Sequence, residues 1–225
     1  MRYNVVSQLK KHKLRLFYYL TGFLVIGFAV NIIKASDLGN GAWDTVSINL
    51  RDFFHLNLNI TWVTMGMFSF LISFTLMLIV ISYRKKYRYL LMVFPILFVA
   101  ISIDFWNFTV FHDYESSILW IQFIFFTLGL FLLPLGLSLI VKSDFPAFVF
   151  EELMLMFVKI SKAKKITYVR LSIELTGITI GAIFGYLTYY HLDQSLGAVN
   201  IGSMIITVFI SPIMTLYFKA LKISN

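Results

Sequence analysis

The sequence predicts an all-α, polytopic membrane protein, and three observations carry that prediction. Of 225 residues, 59% are hydrophobic and only 13% are charged, whereas soluble domains run at about 45–50% apolar and about 25% charged. Mean hydropathy is +0.83, so a water-soluble fold would lack the polar side chains to cover its surface. The apolar residues, including 24 Phe and 12 Tyr, gather into runs of bilayer length. The chain has no Cys, which excludes disulfides, thiolate metal sites and cysteine nucleophiles together. A net charge of +8 would point a soluble chain toward nucleic acid. Here the basic residues lie between the apolar runs, where membrane topology accounts for them, so the expected partner is a lipid bilayer and not nucleic acid.

An apolar run of about 20 residues crosses a bilayer as a helix. Six runs qualify: Leu16–Ile33, Trp62–Ser82, Tyr89–Phe111, Ile118–Val141, Leu171–Tyr190 and Leu196–Phe218. The first follows the basic stretch Lys10-Lys11-His12-Lys13-Leu14-Arg15. Its apolar core is too long for a signal peptide and no small-residue cleavage site follows, so it reads as a retained helix. Two further stretches, 38–58 and 145–160, are apolar enough to enter the membrane and too short or too charged to be counted as crossings.

The basic residues decide between topologies. With six crossings and a cytoplasmic N-terminus, 17 of the 19 Lys and Arg face the cytoplasm, and only Lys34 and Arg51 face outward. The outer loops carry Asp37, Asp44, Asp52, Asp113, Glu115 and Asp193. A crossing by stretch 38–58 alone would export Arg84-Lys85-Lys86, against the positive-inside rule. Both termini are therefore expected in the cytoplasm.

An offset of 107 residues aligns unusual positions without a gap. Gly22 meets Gly129, Gly27 meets Pro134 and Asn31 meets Ser138; Ser36-Asp37 meets Ser143-Asp144. Further on, Gly39 meets Pro146, Trp43 meets Phe150 and Asp44 meets Glu151. Helix breakers meet helix breakers and carboxylates meet carboxylates. The alternative is a six-helix protein with coincident Gly and Pro placement. The expected organisation is one membrane domain over 1–225, with repeat 1 at 14–112 and repeat 2 at 118–219. Each repeat holds three spans and one motif that is either re-entrant or interfacial. Three is odd, so the repeats would be inverted, as in many secondary transporters, whose sites lie at the repeat interface.

Candidate site residues follow from this frame. Gly39-Asn40-Gly41 is a turn signal, and Asp44 after it caps a short helix or lies in an interfacial loop anchored by Trp43. In the second motif Pro146 marks the turn, and Glu151, aligned with Asp44, is the better functional candidate of the Glu151-Glu152 pair. Adjacent helical residues point about 100° apart, so the two carboxylates face different surroundings unless both lie in the headgroups. Arg170 and Glu174 stand four apart on one helix face, as a structural salt bridge or as a substrate or proton site. Asn31 shares a face with Lys34, and Asp104 has Asn107 as a local partner. Met154 and Met156 fit an adaptable pocket or the core. His12, His55, His112 and His191 lack metal-ligand spacing, and Ile201-Gly202-Ser203-Met204 is not a nucleophile elbow. No catalytic residues, metal or cofactor are expected.

Leu38-Gly39-Asn40-Gly41-Ala42-Trp43-Asp44 resembles the glycine-rich motif ending in Pro-Trp-Asp of the YczE/YitT-type family of bacterial integral membrane proteins. Arg170 and Glu174, followed by Gly177, Gly181 and Gly185, resemble a second feature of that family. Ala42 stands where the family has proline. The resemblance covers most of the chain and fits the shorter YczE-like branch, which lacks the soluble C-terminal domain. It implies a multi-pass protein of the bacterial inner membrane and does not imply a substrate.

The functional expectation is a transporter-like protein moving a small solute by alternating access, with the solute held near Asn31, Trp43, Asp44, Glu151, Arg170 and Glu174. The alternative is a non-transporting accessory or scaffold protein supporting a membrane enzyme or secretion complex. The stripe Gly177, Gly181, Gly185 permits close helix contact, in a homo-oligomer or within one chain.

Overall fold

A computed structural model describes residues 5–145, 148–162, 166–192 and 194–223. It is all-helical: α1 (Val5–Ser36), α2 (Ala42–Asn57), α3 (Met65–Arg84), α4 (Val93–Trp106), α5 (Leu119–Lys142), α6 (Val149–Ser161), α7 (Ile166–Tyr189) and α8 (Ile201–Ala220). Among the described residues six segments are long and apolar enough to cross a membrane: His12–Ser36, Met65–Arg84, Tyr89–Phe111, Leu119–Lys142, Thr167–Tyr189 and Ile201–Ala220. They correspond to the six expected runs. The chain is a multi-pass membrane protein, and its outer surface is paved with exposed apolar side chains such as Phe17, Phe94, Phe123, Trp120 and Leu187.

Boundaries moved where polarity and helix chemistry disagree. The sixth span begins at Ile201 rather than Leu196, because Asn200 caps α8 in a reciprocal box with Ser203 and Gly197 turns the chain at φ 59. Apolar Leu196–Val199 is turn. The third span is composite: a 3-10 turn over Tyr87–Met92, then α4, then a π-turn over Asn107–Phe111. Pro95 has no amide to continue an α-helix back to Leu91. Met65 starts α3 because Thr64 accepts a hydrogen bond from the Met67 amide.

The core is built around α1 and α5, which cross closely where Gly22 approaches the Gly136 carbonyl and Gly129 receives Ile33. Phe23, Ile26, Val30 and Ile33 pack there with Leu133, Ile140, Ile206 and Ile210. A second cluster joins Met77, Val80, Met92 and Ile96 to Val149, Leu153 and Met156 of α6. Around this centre α1 lies against α4, and α5 against α8; α2 packs on α7, and α6 on α3.

α2 and α6 are the two helices outside the six spans, and each starts in the interior. After Ser36 the chain runs inward along the start of α8, with Gly202 N–H donating to Leu38 O and Asn40 N–H donating to Ser203 Oγ. Gly39 makes this approach at φ 112 against Ser203. α2 then begins opposite Gly177 near the middle of α7 and runs back past Gly181 and Gly185, which face Thr45 and Asn49. The glycine stripe therefore packs within the chain. Asn49 fastens this pair: its Nδ2 donates to the carbonyls of Gly181 and Leu196, and its Oδ1 accepts from Ala198 N–H.

The ends of α1 and α5 repeat one another bond for bond. Ser36 Oγ donates to Ile33 O, Leu38 N–H donates to Ser36 Oγ, and Asp37 turns left-handed at φ 56. Ser143 Oγ donates to Ile140 O, Phe145 N–H donates to Ser143 Oγ, and Asp144 turns left-handed at φ 56. One turn earlier, Asn31 Nδ2 donates to Gly27 O as Ser138 Oγ donates to Pro134 O.

Candidate functional site

The two interior helix starts meet. Trp43 and Phe150, each the second residue of its helix, have ring centroids 5.4 Å apart. Each is followed by a first-turn carboxylate, Asp44 on α2 and Glu151 on α6. Neither start has a side-chain cap, the N-caps being Gly41 and Phe148, so main-chain donors and acids converge there. Arg170 and Glu174 of α7 face the same space. Together they line a cavity of about 120 Å³ to which all eight helices contribute, including Val30, Ser73, Val99, Leu133 and Thr207.

The polar groups of this cavity are only partly matched. Trp43 Nε1, Glu151 Oε2 and Thr207 Oγ1 are buried without a hydrogen-bond partner. Among the described ion pairs none joins Arg170 to Glu174; the two share a helix face as their spacing requires, but point into the cavity rather than clasping each other. Burial pushes the Asp44 carboxyl up to about 7, with the charge of Glu174 adding to the rise. Burial likewise pushes Glu151 up to about 7; its own amide and Arg170 oppose the rise, while Glu174 and Glu152 reinforce it. Burial thus holds both carboxyls above the ordinary carboxylate range. Glu152 points elsewhere, toward Arg84 at 3.7 Å.

The structure gathers Gly41, Trp43, Asp44, Glu151, Arg170 and Glu174 around one cavity. Asn31 is not there. Buried to 1% exposure, it ties α1 to α4 by donating to Gly27 O and Ile103 O, because Gly27 brings the two backbones together against Ser102. Gly39 serves the inward turn, and Pro146 lies outside the described residues. Asp104 finds its partners in Thr64 Oγ1 and Gly66 N–H at the start of α3 rather than in Asn107, which accepts from Asp113 N–H. Met156 is core, and Met154 borders a small extension of about 40 Å³ beside Glu151. Among the described residues no three His, Asp or Glu side chains are grouped as a metal ion requires.

Two features escaped sequence reasoning. Thr207 is one; a threonine in an apolar span carries no signal of its own. The other is a charge network toward the ends of α1 and α2, in which buried Lys34, Arg51 and Asp52 gather beside the half-exposed Asp113. Asp113 accepts from Lys34 Nζ and Arg51 Nη1, Asp52 accepts from Arg51 Nε and Nη2, and Tyr189 OH donates to Asp52 Oδ2. Burial alone would raise Asp113, yet Arg51 and Lys34 pull it down to about 2. Its two cations are the exceptions left by the charge count, Lys34 and Arg51, and that was the available signal. A second chamber of about 280 Å³ borders the network, lined by Lys34, Asp52, Glu115, Tyr189 and Asn200.

The family described as DUF6198, a family of unknown function, matches residues 13–219. No curated protein and no solved structure matches the chain.

Proposed function

The chain belongs to the DUF6198 family, and from that premise and the cavity geometry we propose that it is a transporter-like protein moving a small solute by alternating access. One observation carries this reading: every helix lines a single cavity in which the starts of two non-spanning helices meet, each bringing an aromatic and a carboxylate. In this proposal Asp44, Glu151, Arg170 and Glu174 hold the solute or the protons exchanged for it, and Trp43 and Phe150 wall it.

We further propose that α1–α4 and α5–α8 are inverted repeats and that α2 and α6 are re-entrant. The matched turns after α1 and α5 support this. So do the exchanged packings, α2 on α7 with α6 on α3, and α1 on α4 with α5 on α8. Three spans per half would place the halves upside down relative to each other, the arrangement in which rocking of one half against the other exposes a midplane site to either side. The basic residues favour cytoplasmic termini in a bacterial inner membrane. The resemblance of Leu38–Asp44 and Arg170…Glu174 to the YczE/YitT-type family belongs to the same proposal.

Uptake and export assays in vesicles from a deletion strain test it. Restoration of flux by the wild-type chain, and its loss with Asp44→Asn or Glu151→Gln in folded protein, is the expected result. Unchanged fluxes across a broad solute panel would overturn it. Copurification of one stoichiometric partner, with both substitutions harmless, would replace it by the accessory role.

A further inference from the structure

We propose that the ligand is an amphipathic organic cation, its ammonium head in the eight-helix cavity and its aliphatic tail in the apolar groove between α3, α6 and α7. This rests on reading the cavity as a binding site. With their carboxyls ionised, the state that a bound cation would hold, Asp44, Glu151 and Glu174 carry three negative charges against the one of Arg170. The starts of α2 and α6 add about half a positive charge each, which leaves an excess of about one negative charge and suits a monovalent cation. Thr207, 7% exposed, points an unpartnered Oγ1 into the cavity, and Glu151 Oε2 is also free to accept. Trp43 and Phe150 line the cavity as aromatic side chains, which favour a cation over a neutral solute. A cavity of about 120 Å³ holds a small head and no large polar molecule.

The tail has a place because Trp43 lines two spaces. Besides the cavity, Trp43 lines a groove of about 350 Å³ formed with Leu76, Ile79, Leu153, Phe157 and Ile173. Its hydroxyls do not make it polar: Ser161, Ser172 and Thr176 donate back to the carbonyls of Phe157, Tyr168 and Ser172 in their own helices. Ile79 and Phe157 are 45% and 40% exposed on the apolar flank, so the groove opens toward lipid. A ligand with one charged end and one aliphatic end matches this adjacency. A purely hydrophilic cation leaves the groove unused, and an anion is repelled by the acids.

Isothermal titration of the full-length protein in phosphatidylcholine nanodiscs, with empty nanodiscs subtracted, tests the proposal. The probes are hexylammonium, methylammonium and hexyl sulfate. The hexyl cation should bind at least about tenfold more tightly than methylammonium, and hexyl sulfate should not bind. Glu151→Gln should weaken both cations about tenfold or more. Ile79→Trp, on the lipid-facing flank, should weaken only the hexyl cation and guards against a folding defect in the first variant. Equal binding of hexyl sulfate, indifference to the hexyl chain, or wild-type affinity in both variants would overturn the proposal. Cation binding without flux would remove the transport reading and leave this one; flux of another solute without cation binding would do the reverse.

Discussion

Two clusters of carboxylates and cations are treated oppositely by the fold. Where α1 and α2 end, Lys34, Arg51, Asp52 and Asp113 satisfy one another in a chain of hydrogen bonds closed by Tyr189. At the meeting of α2 and α6, three carboxylates and one arginine share a cavity without forming an ion pair among the described contacts. A matched network joins helices and costs stability when broken. An unmatched cluster leaves polar capacity for something that arrives from outside. In the proposed reading, the difference separates a fastening from a site.

The largest expected effect lies in the fastening. Arg51→Met leaves the equally buried Asp52 without its cation, and thermal unfolding in detergent should show a loss of about 3–5 kcal/mol. Glu151→Gln removes an unmatched carboxylate and should leave stability within about 1 kcal/mol while weakening the proposed cation binding about tenfold or more. If the two substitutions destabilise alike, the contrast fails. Next comes Asn49→Ala, which orphans two carbonyls and one amide and should cost about 2–3 kcal/mol.

A smaller effect appears in the pH profile. Asp44 and Glu151 are faced by Glu174, Arg170 and Glu152, with Arg84 beyond Glu152. Their carboxyls rise to about 7 in the folded state, above the ordinary range near 4. Between about pH 4 and 7 the folded chain therefore holds more protons than the unfolded one, and stability falls as pH rises through that window. Melting temperatures measured across it should fall less steeply in the Asp44→Asn, Glu151→Gln double variant. An unchanged slope would mean that these two groups are not the ones titrating. The smallest effect is Arg84→Gln: its partly exposed 3.7 Å contact with Glu152 should be worth about 1 kcal/mol or less in the same melts.

What could be read from the sequence followed a simple division. Bilayer-length apolar runs located all six spans, because length and hydropathy are local properties. The 107-residue offset paired Trp43 with Phe150 and Asp44 with Glu151; the fold sets the two rings 5.4 Å apart and both carboxylates on one cavity. Contacts between distant positions were not legible. Lys34 meets Asp113, Asp52 meets Tyr189, and Asn49 meets Ala198 through packing that no local pattern records. Asn31 shows the same limit in reverse: a polar residue in a span reads as a site until the neighbouring backbone of Ile103 is seen beside it. The start of α8 was misjudged because Leu196–Val199 is as apolar as the helix that follows, and only the cap at Asn200 separates them.

The absence of native cysteine makes one measurement direct. Thr207→Cys places a single thiol in the cavity, and its labelling by a membrane-impermeant cationic thiol reagent can be followed in intact cells and in inverted vesicles. Alternating access predicts modification from both sides, with the balance shifting when a bound cation is added. Labelling from neither side, or from one side alone under every condition, would contradict the account.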